Sequence, residues 1–201
     1  MTAVNLWDER FSGEAMMYGD APNTFLREQA HWLAPGSRVL SLAEGEGRNG
    51  VFLASLGLEV TGVDGSAVGL AKARRLAERR GVTLHTVHAD LADFEMGDSA
   101  WDGVVSIWCH LHPPTRAIVH RNIARALRPG GRLILESYHP RQLSYGTGGP
   151  PDLDKLLTLE DVLADFPGWI PRYTFEGERE VVEGVGHTGL SYVTQVVLER
   201  V

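Results

Sequence analysis

The sequence predicts an α/β domain in which a mostly parallel β-sheet carries helices on both faces and ends in an antiparallel hairpin. Apolar runs of strand length alternate with longer amphipathic segments through five strands, the order that builds a parallel sheet. The first run, Val39–Leu42, stops at Ala43-Glu44-Gly45-Glu46-Gly47 and continues into Val51, Phe52, Ala54 and Ser55, a strand that turns at glycines into a helix. The last two β-rich runs, about Tyr173–Val182 and Leu190–Val201, are joined by Gly184–Gly189 and so return as a hairpin.

Residues 1–35 read as an N-terminal arm. Trp7, Phe11, Met16, Met17 and Tyr18 lie there among charges, and Pro22 opens a helix through Ala30 to Leu33 that Pro35-Gly36 ends. The arm's aromatics either pack on the domain or, as Trp7, Phe11 and Tyr18, form a lid over a bound ligand. Beyond the first strand and helix, Gly57 is a stop and Leu58–Val63 is a second strand with Asp64 at its tip. Ser66 caps a helix to Arg80 that Gly81 closes, with Ala67, Leu70, Ala73 and Ala77 as its core stripe. Lys72, Arg74, Arg75, Arg79 and Arg80 are expected on its solvated face. Leu84–His88 is a third strand with Asp90-Leu91 at its end, and Trp101–Trp108 a fourth, too apolar to be half exposed. Cys109-His110-Leu111-His112 leads to a helix opened by Pro113-Pro114, with Ile118, Val119, Ile123 and Leu127 on one face. Arg128-Pro129-Gly130-Gly131 marks a turn before the fifth strand, Arg132–Tyr138. A Gly/Pro-rich loop through Tyr145–Pro151 precedes Thr158-Leu159-Glu160-Asp161, a capping box whose short helix ends at Pro167-Gly168.

A chain of 201 residues with 43% hydrophobic content builds one sizeable core, so a single domain over 1–201 is expected. The net charge of −7 argues against a nucleic-acid partner, whose affinity comes from neutralised phosphates. The single cysteine, Cys109, excludes a disulfide framework or a multi-cysteine metal site, and no carboxylate–histidine spacing suggests another metal. No apolar stretch approaches the length of a membrane span, so no membrane partner and a cytoplasmic location are expected.

The glycine corner leaves main-chain N–H groups and a helix N-terminus free, and its lack of Cβ atoms lets a ligand approach the backbone. Asp64, 19 residues beyond Gly45, stands at the tip of the neighbouring strand, where an acid can hydrogen-bond a ribose diol. Gly45-Glu46-Gly47-Arg48-Asn49-Gly50 is a literal G-x-G-x-x-G, so a nicotinamide dinucleotide has to be weighed. Against it, Glu44 and Glu46 put two carboxylates where a pyrophosphate would sit, and a terminal hairpin replaces the second mononucleotide half. Asp90 adds an acid where an adenine amino group would be read. Carboxylates beside the glycines suit a cationic cofactor, and S-adenosyl-L-methionine carries a sulfonium and an ammonium.

Val39–Gly50, the Val63-Asp64 tip, Asp90-Leu91, the Trp101–Ile107 strand and Leu127-Arg128-Pro129-Gly130-Gly131 together resemble, in order and spacing, the class I S-adenosylmethionine-dependent methyltransferases. Trp7-Asp8-Glu9-Arg10-Phe11, Tyr18-Gly19 and Pro22-Asn23 resemble the small bacterial branch related to the tellurite-resistance methyltransferase, with thiopurine and thiol methyltransferases more distant. The resemblance implies a Rossmann-like three-layer sandwich with a seven-stranded sheet. It implies that Gly45 and Gly47 pass close to the methionine part of the cofactor, that Arg48 or Asn49 brackets its carboxylate, that Asp64 holds the ribose and Asp90-Leu91 the adenine, and that Trp108 stands near the methyl group. The sequence departs from the family in two places. The usual first-strand acid is Ser41 and the first loop glycine is Ala43, which leaves Glu44 or Glu46 to face the methionine ammonium. Asp64 and Asp90 have a plainer reading as helix or turn caps, and Trp108 as a core residue.

The resulting expectation is methyl transfer from S-adenosyl-L-methionine, with S-adenosyl-L-homocysteine as product, to a small molecule such as a thiol or a tellurium or selenium oxyanion. His110, His139 and Tyr138 are the candidate catalytic residues, and His112, Arg141 and Tyr145 the candidate substrate contacts. An NAD(P)-dependent reductase and a non-catalytic S-adenosylmethionine-binding protein remain as alternatives.

Overall fold

The computed structural model of the chain describes residues 3–201; residues 1–2 of the expected arm lie outside the described residues. Seven strands form one sheet: β1 (Arg38–Leu42), β2 (Glu59–Asp64), β3 (His85–His88), β4 (Trp101–Ile107), β5 (Leu127–Tyr138), β6 (Ile170–Glu183) and β7 (His187–Glu199). Their order is β3-β2-β1-β4-β5-β7-β6, with β1 to β5 parallel and β7 antiparallel to both β5 and β6. The helices are α1 (Ala3–Phe11), α2 (Thr24–Gln29), α3 (Arg48–Ser55), α4 (Ala67–Arg80), α5 (Pro113–Ala126) and α6 (Leu159–Asp165).

Alternation along each strand splits the apolar side chains between two cores. Val39, Val60, Val105 and Ile134 face α2, α3 and α4, among Phe25, Leu26, Leu53 and Leu76. Their neighbours Leu40, Val104, Leu133 and Leu135 face α5 and α6, among Val119, Ile123, Val162 and Phe166. Because both faces are sealed by hydrocarbon, polar chemistry is confined to the edge where the parallel strands end.

Local signals set most boundaries. Ser66 accepts Gly69 N–H at the start of α4 and Gly81 ends it in the left-handed conformation. Thr158 and Asp161 form the reciprocal capping box at α6. Four expectations are corrected. Lys72 is buried, because Glu46 reaches it across the corner, while Arg74, Arg75, Arg79 and Arg80 are exposed; Ala67 is exposed rather than core. The arm helix runs only over α2 before tightening into a 3-10 turn at Ala30–Trp32. The strand of Tyr138 already begins at Leu127, and the Arg128–Gly131 turn is accommodated as an irregularity opposite Trp101 and Gly103. Among the described residues no helix is long and apolar enough to cross a membrane.

Gly47 caps α3 at a φ of 94°, and a Cβ there would stand 2.6 Å from Ala73 Cα in α4. Gly57 also has a positive φ, 83°, but open space around it. Gly57→Ala is expected to cost about 1 kcal/mol, the left-handed penalty alone, whereas Gly47→Ala should cost at least ~2 kcal/mol because α3 and α4 must also separate. Equal losses in urea unfolding would remove the close-approach argument.

Candidate functional site

The carboxyl ends of β1, β2 and β4 converge on the glycine corner. Backbone strain marks two of them: Ala43 and Trp108, neither a glycine, have φ of 50° and 55°. At the tip of β2, Asp64 accepts Gly45 N–H with one oxygen (2.8 Å) and Ser66 N–H with the other (2.7 Å), so a single carboxylate ties the corner to the α4 cap. Burial holds its pKa above the ordinary value. Each oxygen retains a lone pair for a further donor.

The other corner side chains are committed to the protein. Glu46 accepts Lys72 Nζ at 2.7 Å and Met17 N–H at 2.7 Å. Arg48 donates to Glu183 at 2.6 Å, and Asn49 Oδ1 accepts Asn23 N–H at 3.0 Å. Glu44 points away from the ligand side, into a slot where Cβ atoms on Gly50 or Gly62 would lie 2.7 Å from its Oε1 and 2.6 Å from its Cγ. The expectation that Glu44 or Glu46 faces an ammonium group is therefore corrected. The first is folded beneath the corner, and the second already neutralises a lysine. Main-chain N–H groups at the start of α3, and the unpartnered Nη1 of Arg48, are what the corner still offers.

Asp90 is exposed and caps the turn after β3 through Ala92 N–H (2.9 Å), while Leu91 is buried in the α5-side core. Leu91 can thus meet a ligand only through its main chain.

Beyond β4 and β5 lies a row of aromatic rings. Trp108 stacks on Tyr138 with centroids 4.3 Å apart, and His110 stacks on Tyr138 at 5.6 Å. His187, from the hairpin, meets Trp108 edge-on at 5.1 Å and Tyr18 at 4.7 Å, and Tyr18 leads to Phe11 and Trp7 in the arm. Phe11 is buried directly over the corner, 3.2 Å from where a Cβ on Gly45 would be. Asp8, one turn earlier, accepts Ser66 Oγ and Val68 N–H and pins α1 to the start of α4. The hairpin closes on the arm through Val185 N–H to Met17 O (3.0 Å).

The catalytic candidates separate. His110 is half-buried, desolvation pushes its pKa down to about 3, and its Nε2 accepts Tyr138 N–H at 3.2 Å. Its basic lone pair is engaged, and the geometry directs the chemistry away from proton abstraction there. Tyr138 is buried with its phenol raised by burial and its oxygen unpartnered. His139, Arg141 and Tyr145 are not gathered with them. His139 caps the following turn through Arg141 N–H and packs on Tyr192, Arg141 lies over the same Tyr192 ring, and Tyr145 bonds Glu178. His139 directly follows the last residue of β5, and its side chain goes not to the ring of Tyr138 but to Tyr192 and Glu176 of the hairpin strands. His112 is exposed beside Asp152 at 3.5 Å. Burial pushes Cys109 up to about 12, so it is an inert thiol.

Sequence reasoning missed the ionic cluster behind the aromatic row. Glu136 accepts Arg179 twice (2.7 and 2.9 Å), Gln195 (2.6 Å) and Asn23 (2.5 Å), while Glu183 accepts Arg48, Trp108 Nε1 (2.7 Å), Asn23 (2.8 Å) and Arg179 (3.2 Å). A signal for it existed: Glu136 interrupts the otherwise apolar run Leu133-Ile134-Leu135, and a charge there has to be paired. Two surface clefts lie elsewhere. One of about 420 Å³ sits at the opposite strand ends between Arg38, Glu59, His85 and Trp101, and one of about 650 Å³ lies beside α6. Neither gathers the groups described above. The carboxyl edge is instead covered by the arm.

Residues 39–131, from β1 to the turn within β5, match the model of a methyltransferase domain. The chain is 30% identical over 167 residues to the phosphatidylethanolamine N-methyltransferase of Cereibacter sphaeroides, covering 78% of this chain and 77% of that protein. The chain belongs to the methyltransferase family. YbaJ of Bacillus subtilis (strain 168), an uncharacterized methyltransferase, is 34% identical over 119 residues, 58% of this chain. This methyltransferase spans only 47% of the length of YbaJ. Its fold superposes on TehB from Haemophilus influenzae with a TM-score of 0.73 over 98% of this chain and 66% of that one, at 16% identity. The architecture is thus the Rossmann-like class I methyltransferase fold, with the C-terminal hairpin at one side of the sheet.

Burial pushes Glu44 up to about 7, against the opposing pull of Gly50 N–H and Arg48. An acid raised in the folded state is fully tolerated below its unfolded value of about 4.5, and its penalty grows as pH rises toward 7. Glu44→Gln, which keeps the bond to Gly50, is expected to match the wild type near pH 4.5 and to be the more stable by up to ~3 kcal/mol above pH 7. A difference in urea midpoints that does not change with pH would show that Glu44 is ionised in the fold.

Proposed function

We propose that this chain transfers the methyl group of S-adenosyl-L-methionine to a small molecule held at the carboxyl edge of the sheet. The observation that carries the reading is the junction of β1 and β2, where Asp64 clamps the glycine corner and keeps acceptor capacity for a ribose. The residues present fit that cofactor. A diol finds a carboxylate, a carboxylate group finds the free N–H groups of α3, and a sulfonium finds the faces of Trp108, Phe11 and Tyr18. Asp90, with the main chain of Leu91, stands where the adenine would be met.

When bound, S-adenosylmethionine would supply a methyl carbon made electrophilic by its sulfonium, with neutral S-adenosylhomocysteine as the leaving group for the acceptor's lone pair. What remains for the protein is orientation and exclusion of water. The described part of the arm, residues 3–35, acts as the lid that performs the exclusion, with Phe11 over the corner and Tyr18 against the hairpin. Trp108, Tyr138 and His187 form the wall facing the transfer. Burial lowers His187 to about 4, so this wall is uncharged at neutral pH. A wall with no engaged base favours acceptors that attack without losing a proton, such as a thiolate or an oxyanion of selenium or tellurium. Arg48 Nη1, Tyr138 OH and His187 Nδ1 are buried without partners and can donate to such an anion. With a net charge of −7 and a single cysteine, the chain suits a cytoplasmic reaction on a small molecule rather than a nucleic acid.

S-adenosylmethionine should raise the melting temperature where NADH does not, and a screen of tellurite, selenite and small thiols should release S-adenosylhomocysteine with at least one acceptor. Asp64→Ala should weaken uptake in calorimetry by roughly 10- to 100-fold, the worth of a hydrogen bond to a charged group, with its far-UV spectrum intact. Undiminished affinity would remove the ribose assignment; stabilisation by NADH instead would favour a reductase.

A further inference from the structure

The carboxylate of Glu183 receives donors from four separate parts of the chain. Arg48 comes from the glycine corner, Trp108 from the tip of β4, Arg179 from β6 and Asn23 from the arm. Arg48 and the Trp108 indole meet the same oxygen, at 2.6 and 2.7 Å. Glu183 and Asn23 are 4% and 0% exposed, so each bond forms away from water. Asn23 spends its whole amide in this arrangement. Nδ2 bridges Glu136 and Glu183, and Oδ1 caps α2 by accepting Leu26 N–H at 2.8 Å. Among the described residues Glu183 is the acceptor of the Trp108 N–H, and without it the indole keeps only ring contacts, such as those with Tyr138, His187 and Arg179.

We infer that Glu183 is a positioning residue for methyl transfer, acting through Trp108 and Arg48, and that Asn23 seats the arm on the same carboxylate so that lid closure and alignment of the Trp108 wall are one event. This rests on the proposed methyl transfer for its rate effect, but not for its structural half. Burial opposes ionisation of Glu183, yet Arg48, the Trp108 N–H and Arg179 outweigh it and hold the carboxyl below the ordinary range. It thus stays an acceptor throughout the neutral range.

Two variants test the inference on the whole chain. Glu183→Gln removes the charge from the hub, and Asn23→Ser removes both amide donors while a serine still caps α2. Both are expected to shift the tryptophan emission and to speed proteolysis within residues 12–20. The emission shift should be absent when Trp108→Phe is already present. With an acceptor that supports turnover, kcat should fall at least roughly 10-fold in each, with KM for S-adenosylmethionine changed less than kcat. Should Glu183→Gln not fold, Asn23→Ser carries the test by itself. Wild-type emission and proteolysis in the variants would overturn the inference, as would a fall in kcat without any change in Trp108 emission. Failure of the wild type to take up S-adenosylmethionine would instead overturn the proposed function, leaving emission and proteolysis to decide the role of Glu183.

Discussion

Three buried charges and one half-buried one at the carboxyl edge of the sheet have to neutralise one another, and the rest of the edge is arranged around that requirement. Glu136 and Glu183 face Arg48 and Arg179 in a space closed by Trp108, Asn23 and Gln195. An isolated buried charge is expensive, and a buried pair that loses one partner is strongly destabilising. The cluster therefore stands only while the glycine corner, β5, the hairpin and the arm are all in register. Since replacing such clusters with hydrocarbon is often neutral or stabilising, the cluster is better explained by the alignment it imposes than by stability.

That arrangement accounts for why so few of the corner's acids are available to a ligand. Glu44 is sunk between Gly50 and Gly62, Glu46 belongs to Lys72 and the arm, and Arg48 belongs to the hairpin. What faces outward is main chain, aromatic surface and the spare lone pairs of Asp64. A cationic nucleoside requires no more than this, and a pyrophosphate would meet a corner whose two cations, Lys72 and Arg48, are already charge-paired with Glu46 and Glu183. The arm is pinned over this edge by Asp8 at α4 and by Met17 at the hairpin.

Much of the fold was legible because it rests on local chemistry. The Ser66 and Gly81 caps, the Thr158–Asp161 box, the glycine corner and the apolar strands each declare themselves within a few residues. The cluster was not legible, because its partners lie as far apart as Asn23 and Glu183, and nothing local in the sequence pairs them. Lys72 shows the same limit: on a helix of exposed arginines it reads as one more solvated charge, and only the approach of Glu46 buries it. His139 failed for a different reason. Its closeness to Tyr138 in sequence suggested a shared pocket, but strand alternation places neighbours on opposite faces. Glu136 was visible as a charge in an apolar strand, and a rule that such a charge demands partners would have found it.

Amide hydrogen exchange across the corner and the arm, with and without S-adenosylmethionine, tests this reading of the edge most directly. Slowed exchange at Gly45–Asn49 together with residues 8–20 is the expected result, because ligand and lid close on the same backbone. Unchanged exchange there, or protection confined to the clefts beside Trp101 or α6, would contradict it.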